Sequence, residues 1–324
     1  MKFNQFVSVL LICVAPVVSA SDINWQPNFK SEPLSQDKLA AINAALPDKP
    51  IAPAKAKRKV LIYSATSGYR HGSIPVGKVA LEKLGLATHA YTAVVSDDPA
   101  NFTPQGLKQF DSVVLLNTTG DFFMPVSFKK ASQRDQFTDE QWQALQTRHV
   151  RLVDNLIDYV KNGGGLVGIH AATDACYSHA GYGETIGGFF TSHPWTSNMT
   201  VTVNVVDSDN GVIAPVFKKM KSFSLKDEIY QFKDVPYSRE KLRILLTLDP
   251  SKSDTPKRKP EREDNDYAIS WIHEVGKGRV FYTSLGHRDD IYFNPLMLNH
   301  YLAGIQYAMG DIDADATPSA HVDH

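Results

Sequence analysis

The sequence predicts an α/β fold: a doubly wound, mostly parallel sheet with antiparallel strands added in the C-terminal half. Three observations predict it. Short apolar runs alternate with helical stretches through the first half of the 324-residue chain, the pattern of β-α-β units that build a parallel sheet. Three of these runs, KVLIYS at 59–64, GLVGI at 165–169 and RVFYTSL at 279–285, lead into a histidine, namely His71, His170 and His287. In an open parallel sheet the strands end on one edge, and ligands bind in the crevice beyond those ends. The second half is less regular, with an alternating strand at 199–206 and a Gly-containing turn at 274–278 between two apolar runs, which reads as an antiparallel hairpin.

Each element has its own signal. KVLIYS is the first strand, and Pro75 suits the first turn of a helix that runs to Leu84, with Gly85 as its stop. HAYTAVV at 89–95 is the next strand, and Thr103-Pro104 starts a short helix. SVVLLN at 112–117 is the third strand, followed by an insertion at 118–137. Thr138 caps a long helix with Gln141 at the capping-box position, and Trp142, Leu145, Leu152, Leu156 and Val160 share one face. Asn162 and three glycines end that helix before GLVGI. Further strands fall at 228–232, 243–248, 267–273 and 279–284; the Pro- and charge-rich stretch 249–266 is a surface loop, and 295–309 is a closing helix.

The ends read differently. Residues 1–20 have the form of a secretory signal: Lys2, an apolar run at 6–14, and Val18-Ser19-Ala20 as the cleavage site. A retained N-terminal anchor is the alternative, although the run is short for spanning a bilayer. Residues 21–58 form a Pro-, Ala- and Lys-rich leader with a weakly amphipathic patch at 38–46; the folded domain covers 59–310, and 311–324 is a disordered tail. No other stretch is apolar enough to span a membrane, so the expectation is an exported, periplasmic or secreted protein without a transmembrane anchor once the signal is removed. With Cys13 in the signal, Cys176 is the mature chain's one cysteine, which leaves no internal disulfide. The net charge of -1 gives no reason to expect a nucleic-acid partner or an anionic membrane surface. Gly163-Gly164-Gly165 precedes its strand, whereas a dinucleotide loop follows one, so no nucleotide cofactor is expected.

The most specific segment is GGGLVGIHAATD at 163–174. It reads as a helix stop, a buried strand and a sharp turn flanked by Ala171 and Ala172. Hydrolases with a nucleophile elbow place the nucleophile at such a turn. Here the elbow residue is His170, which argues against acyl-enzyme chemistry there. Cys176, six residues on, is either a displaced nucleophile or a packed, inert thiol.

Five stretches together resemble the ThuA-like, trehalose-utilisation family over about residues 59–310. They are the first strand into Gly68-Tyr69-Arg70-His71, the GGGLVGIHAATD segment, Gly187-Gly188-Phe189-Phe190 into His193-Pro194, Asp227-Glu228-Ile229-Tyr230, and GKGRVFYTSLGH at 276–287. The resemblance implies a flavodoxin-like fold similar to class I glutamine amidotransferases without their catalytic cysteine. It also implies a role in sugar catabolism, often beside oxidoreductases that make keto-sugars.

The residues themselves give a candidate site of His71, His170, His193, His287, Asp174 and Glu228. Imidazoles with a carboxylate hold zinc or a similar divalent ion, and His71, His170, His193 and Glu228 are the expected ligands. The same set without metal runs acid–base chemistry beside a sugar carbonyl, with His170, Glu228 and Asp174 as the catalytic groups. Substrate contacts are expected from Arg70, His71, His287 and Arg288, which carry charge or hydrogen-bonding nitrogen, and from Tyr177 and Trp195, whose rings stack on sugars; Tyr182 is a further candidate. His89, His149 and His273 are expected on the surface or on helix faces. Two functions fit: an exported enzyme that isomerises, lyses or hydrolyses a glycoside or keto-sugar, or a non-catalytic carbohydrate-binding protein using the same crevice.

Overall fold

The computed structural model describes residues 25–29 and 33–322. The signal assigned to 1–20, with Cys13, and the final His324 lie outside these residues. Eleven strands are present among them: β1 Lys59–Tyr63, β2 Thr92–Val95, β3 Ser112–Leu116, β4 Gly165–Ile169, β5 Phe190–Trp195, β6 Thr200–Val205, β7 Ser222–Lys226, β8 Ile229–Phe232, β9 Arg243–Asp249, β10 Ala268–Val275 and β11 Gly278–Thr283. The helices are α1 Gln36–Ala45, α2 Ile74–Thr88, α3 Pro104–Leu107, α4 Asp139–Lys161, α5 Ala180–Ile186, α6 Ala214–Phe217 and α7 Pro295–Ala308.

Nine strands form one sheet in the order β2-β1-β3-β4-β11-β10-β9-β6-β7. Its first five members run parallel, and the pairs from β11 outward are antiparallel. This is the doubly wound sheet with antiparallel additions that the sequence predicts. Helices cover both faces of its parallel half, which is why β3 and β4 are buried at every position and read as continuous apolar runs. Val60 and Ile62 of β1 pack in the α2 and α7 layer, whereas Leu61 and Tyr63 pack in the α4 and α5 layer, as alternation along a strand requires. β5 and β8 make a separate two-stranded ribbon.

Local signals act as expected at α4, where Thr138 Oγ1 accepts from the Gln141 amide and the Gln141 side chain accepts from the Thr138 amide. They fail at Gly85. Helix α2 continues through it to Thr88, and His89 ends the helix in the left-handed conformation. Gly85 is there because Tyr91 packs on it: a Cβ would lie 2.4 Å from the Tyr91 ring.

The ends of the described chain are also better tied down than their composition suggests. The patch at 38–46 coincides with α1, whose Ile42 and Ala45 are buried, and Lys38 pairs with Asp289 at 2.7 Å. The Gln306 side chain clamps Ile51 and Ala52 by accepting from both amides and donating to the Ala52 carbonyl. The tail expected to be disordered is ordered in its described part, to 322. Ile312 is buried, Ser319 bonds Leu242 and Ile244, and Asp311 and Asp315 pair with Arg58 and Arg243. Polar pairing to largely buried guanidinium groups helps order this segment, and composition does not register that kind of stabilisation.

Candidate active site

The parallel strands end at one edge, and the chain beyond three of them brings His71, His170 and His287 together. Their rings stand edge-on to one another, with centroids 4.9 Å apart for His71–His170, 5.2 Å for His71–His287 and 5.3 Å for His170–His287. Glu228, immediately before β8, faces them. Its Oε1 is 3.8 Å from His170 Nε2 and its Oε2 is 3.8 Å from His287 Nε2. One ligand atom from each of His71, His170, Glu228 and His287 lies within 4.8 Å of the others. The sequence-based ligand set named His193 in place of His287. His193, on β5, instead approaches the carboxylate from beside this set, with Nδ1 3.4 Å from Glu228 Oε2.

The elbow at His170 is built with care. Its φ is +50°, a left-handed conformation that a residue with a Cβ adopts at a cost of roughly 1–2 kcal/mol. The turn is held by Tyr282, whose hydroxyl donates to the His170 carbonyl at 2.7 Å, and by Tyr182, whose hydroxyl donates to the Ala172 carbonyl at 2.6 Å. His170 Nδ1 lies 2.6 Å from the Ser284 carbonyl. A carbonyl can only accept, so Nδ1 carries the hydrogen and Nε2 presents a lone pair. That Nε2 is buried with no hydrogen-bond partner, as is His71 Nδ1. Buried ring nitrogens without partners cost free energy; in a cluster whose ligand atoms gather beside a carboxyl group, they fit a divalent cation.

His287 is positioned from behind by Asp227. The fully buried Asp227 carboxyl accepts from the Gly286 amide at 2.7 Å and the Arg288 amide at 3.2 Å. Gly286 has φ +141°, and a Cβ there would meet Ile169 and Tyr292 at 2.9 Å, so the turn requires glycine.

Burial sets the electrostatics. It pushes His71 down to about 3, helped by His287 and His193, and holds His170 well below the ordinary imidazole range. His193 and His287 are lowered as well, first by burial. Burial, with the charges of Asp227 and Asp174 beside it, raises Glu228 to about 8, and Asp227 rises to about 7. At neutral pH the cluster therefore holds neutral imidazoles and a protonated glutamic acid, so its close His–Glu approaches are not ion pairs.

This arrangement predicts how cation-free stability depends on pH. Unfolding returns Glu228 from about 8 to 4.5, so its contribution is full below pH 4.5 and is lost as pH rises through about 8. His71 is depressed from 6.5 to about 3; its contribution is full above pH 6.5 and is lost as pH falls. From pH 6.5 to 8 the carboxyl contributions dominate, and stability should fall by on the order of 1–2 kcal/mol. Urea unfolding in chelator at the two pH values measures this. Glu228→Gln should flatten the upper part of the fall; an equally steep loss in that variant would refute the assignment.

Around the cluster lies a cavity of about 290 Å³ lined by Tyr69, His71, Asp174, Phe190, His193, Glu228, Tyr230 and His287. This is close to the lower end of the ~300–1,000 Å³ of small-molecule sites. Tyr69 is half exposed, and Tyr230 lies 4.3 Å from the His170 ring. Asp174 lines the cavity, is raised by burial, and accepts from the Tyr177 hydroxyl at 2.7 Å.

Several expected substrate contacts lie elsewhere. Trp195 is buried in the core, donating to the Asp254 carbonyl and packing on Tyr267. A register shift in the ribbon between Ser192 and Trp195 turns it away from the line His193 follows. Arg70 donates to the Ser64 carbonyl and stacks on Phe29. Arg288 is engaged by Asp290, Asn198 and the Ser197 carbonyl. Both arginines adjoin site histidines in sequence, but these partners engage their side chains away from the cluster. Tyr177 stays at the mouth through Asp174, with Lys233 over its ring. Tyr182 is fully buried, and His149 and His273, expected outside, are buried too. Cys176 is fully buried with its thiol pushed well up by burial, which speaks against a nucleophile. Asp227, Tyr69, Phe190 and Tyr230 all fall within the family-like stretches, yet none carries an expected role in the site. The adjacent acidic pair Asp227-Glu228 was the available signal.

The sequence matches the family described as ThuA, trehalose utilisation, over residues 59–308. Among solved structures it is similar to a ThuA-like protein from Bacteroides uniformis ATCC 8492, with a TM-score of 0.56 and 22% identity over 79% of this chain and 93% of that one. It is also similar to a ThuA-like protein from Parabacteroides merdae ATCC 43184, with a TM-score of 0.49 and 15% identity over 81% of this chain and 93% of that one. No curated protein sequence matches it. Among the described residues no helix is long and apolar enough to cross a membrane.

Proposed function

The chain belongs to the ThuA trehalose-utilisation family, whose association is with carbohydrate metabolism, and from that premise we propose that it is an exported enzyme acting on a glycoside or keto-sugar. The reaction is isomerisation, lysis or hydrolysis beside a sugar carbonyl, by His/Glu acid–base chemistry assisted by a divalent cation such as zinc. One observation carries this reading: four ligand atoms, from the buried His71, His170 and Glu228 and the partly buried His287, converge within 4.8 Å on a cavity sized for a single sugar ring. Export rests on the signal-like residues 1–20.

The residues divide the work by their protonation states. His71, His170, His287 and Glu228 would hold the cation, and when bound it would polarise a substrate oxygen. His193 is then the imidazole left over. It is neutral at pH 7, with Nδ1 3.4 Å from the Glu228 carboxylate, and it accepts the proton from the carbon beside the carbonyl. Before a cation binds, Glu228 carries a proton and His170 Nε2 a lone pair, an acid and a base set apart by burial. Asp174 and Tyr177, hydrogen-bonded to each other at the rim, orient sugar hydroxyls. The half-exposed Tyr69 and the neighbouring Phe190 offer ring faces to the sugar.

The test is a panel of glucosides and their 3-keto forms, incubated with the protein with and without chelator. Turnover of a member of that panel, suppressed by chelator and restored by zinc, supports the reading. Sugar binding without turnover across the panel would replace it with the carbohydrate-binding protein.

A further inference from the structure

A second cluster lies apart from the histidine site, on the α4 side of the sheet. Asp121 opens the segment after β3, His149 sits in the middle of α4, and Cys176 follows the turn after β4. Two backbone contacts fix the first and last of these against each other. Gly120 bridges Ala175 in parallel β fashion, and the Cys176 amide donates to the Gly120 carbonyl at 3.2 Å. One ligand atom from each of the three side chains lies within 4.8 Å of the others.

His149 is the residue that needs explaining. It is only 4% exposed, it packs edge-on to Phe122 and against Phe123, and neither ring nitrogen has a hydrogen-bond partner. Its Nε2 lies 3.4 Å from Asp121 Oδ1, beyond good hydrogen-bond geometry. Leaving a buried polar group unsatisfied costs free energy. Lysine, arginine and a second carboxylate are absent from the set, so the unpaired nitrogen faces a thiol and a single carboxylate. The Asp121 side chain is 47% exposed, which gives the cluster a path to solvent. Cys176 is fully buried, so no substrate carbonyl reaches its sulfur, and a Cys-His-Asp nucleophile is not what the arrangement provides.

We propose that Asp121, His149 and Cys176 form a second metal site that takes a borderline-soft divalent cation such as zinc. One sulfur, one nitrogen and one oxygen ligand leave a fourth tetrahedral position for water on the Asp121 side. On binding, the thiol S–H bond breaks, a sulfur–metal bond forms, and the proton leaves to solvent with no change in oxidation state. The sulfur also separates this site from the first, whose ligand atoms are nitrogen and oxygen, and favours zinc or cobalt over magnesium, calcium or manganese. The inference stands whether or not the histidine cluster is catalytic.

The experiment uses the full chain, with Cys13→Ser to remove the other cysteine, purified without a tag and stripped by chelator. Cobalt(II) chloride is titrated in while the near-ultraviolet thiolate-to-cobalt charge-transfer absorption is read. The band should appear with one equivalent of thiolate-bound cobalt, persist in His170→Asn, and vanish in Cys176→Ser. Asp121→Asn alters a half-exposed side chain without changing its shape, so it tests the site even if Cys176→Ser fails to fold; it should weaken cobalt binding at least tenfold. The proposal is overturned by a wild-type titration without the band, by a band that survives Cys176→Ser, or by unchanged affinity in Asp121→Asn.

Discussion

His170→Asn should give a folded protein that has lost cation binding at the histidine cluster, with turnover reduced on the order of 10²–10⁴-fold. The choice of asparagine follows from the backbone. At φ +50° alanine adds strain, whereas asparagine tolerates the left-handed region. Its side-chain amide can also donate to the Ser284 carbonyl, which now accepts from His170 Nδ1 at 2.6 Å. What disappears is Nε2, the lone pair that faces Glu228 Oε1 at 3.8 Å. The substitution therefore separates the two faces of one ring: the face that holds the turn is imitated, and the face that does chemistry is deleted. Two measurements are needed together. Circular dichroism and urea unfolding should stay near wild type, and zinc content by atomic absorption should fall, with the absorption of the Cys176 site counted separately by cobalt spectroscopy. Retention of both full turnover and the wild-type zinc complement in a folded His170→Asn protein would remove His170 from the site.

What could be read in the sequence was whatever depends on local pattern plus one global rule. Continuous apolar runs gave β1, β3, β4 and β11, because strands of a parallel sheet covered on both faces have no polar side to show. The rule that such strands end together then located His71, His170 and His287 without any knowledge of contacts. The reading was weaker wherever position depends on a neighbour far along the chain. Asp227 meets the amides of residues 286 and 288, a pairing with no periodic trace. Trp195 is expected beside a sugar for the stacking face of its ring, yet the irregular register of β5 on β8 carries it into the core. His149 looks like a helix-face residue in sequence, since its burial depends on Phe122 and Phe123 folding over it. The tail from 311 is polar enough to look unstructured, and its order comes from the partly buried guanidinium groups of Arg58 and Arg243, the buried Ile312 and the bonds of Ser319.

Asp227→Ala should be the most destabilising single change at the site. The wild-type carboxyl is completely buried and satisfies the backbone amides of Gly286 and Arg288. Alanine leaves both donors unsatisfied, at about 1–3 kcal/mol each, and opens space behind the turn. A loss of about 3 kcal/mol or more is expected, measured by urea unfolding at pH 6 in chelator. Asp227→Asn keeps one accepting oxygen but turns an amide donor towards the second N–H, so its loss should be smaller. The pH dependence distinguishes this role from mere filling of space. Burial raises Asp227 from 3.8 to about 7, so its contribution is full below pH 3.8 and is lost as pH rises through about 7. The stability gap between wild type and Asp227→Asn should therefore narrow between about pH 4 and 7. Asp227 is a positioning residue: it touches His287 and Glu228 only through the chain that carries them. Supporting groups of this kind typically change metal affinity about 10–100-fold, so the asparagine variant should bind zinc more weakly at the histidine cluster while leaving the Cys176 cobalt band intact. Equal stability of wild type and Asp227→Ala at pH 6 would show that the 286–288 turn holds itself, and that His287 owes its place to something other than this carboxyl.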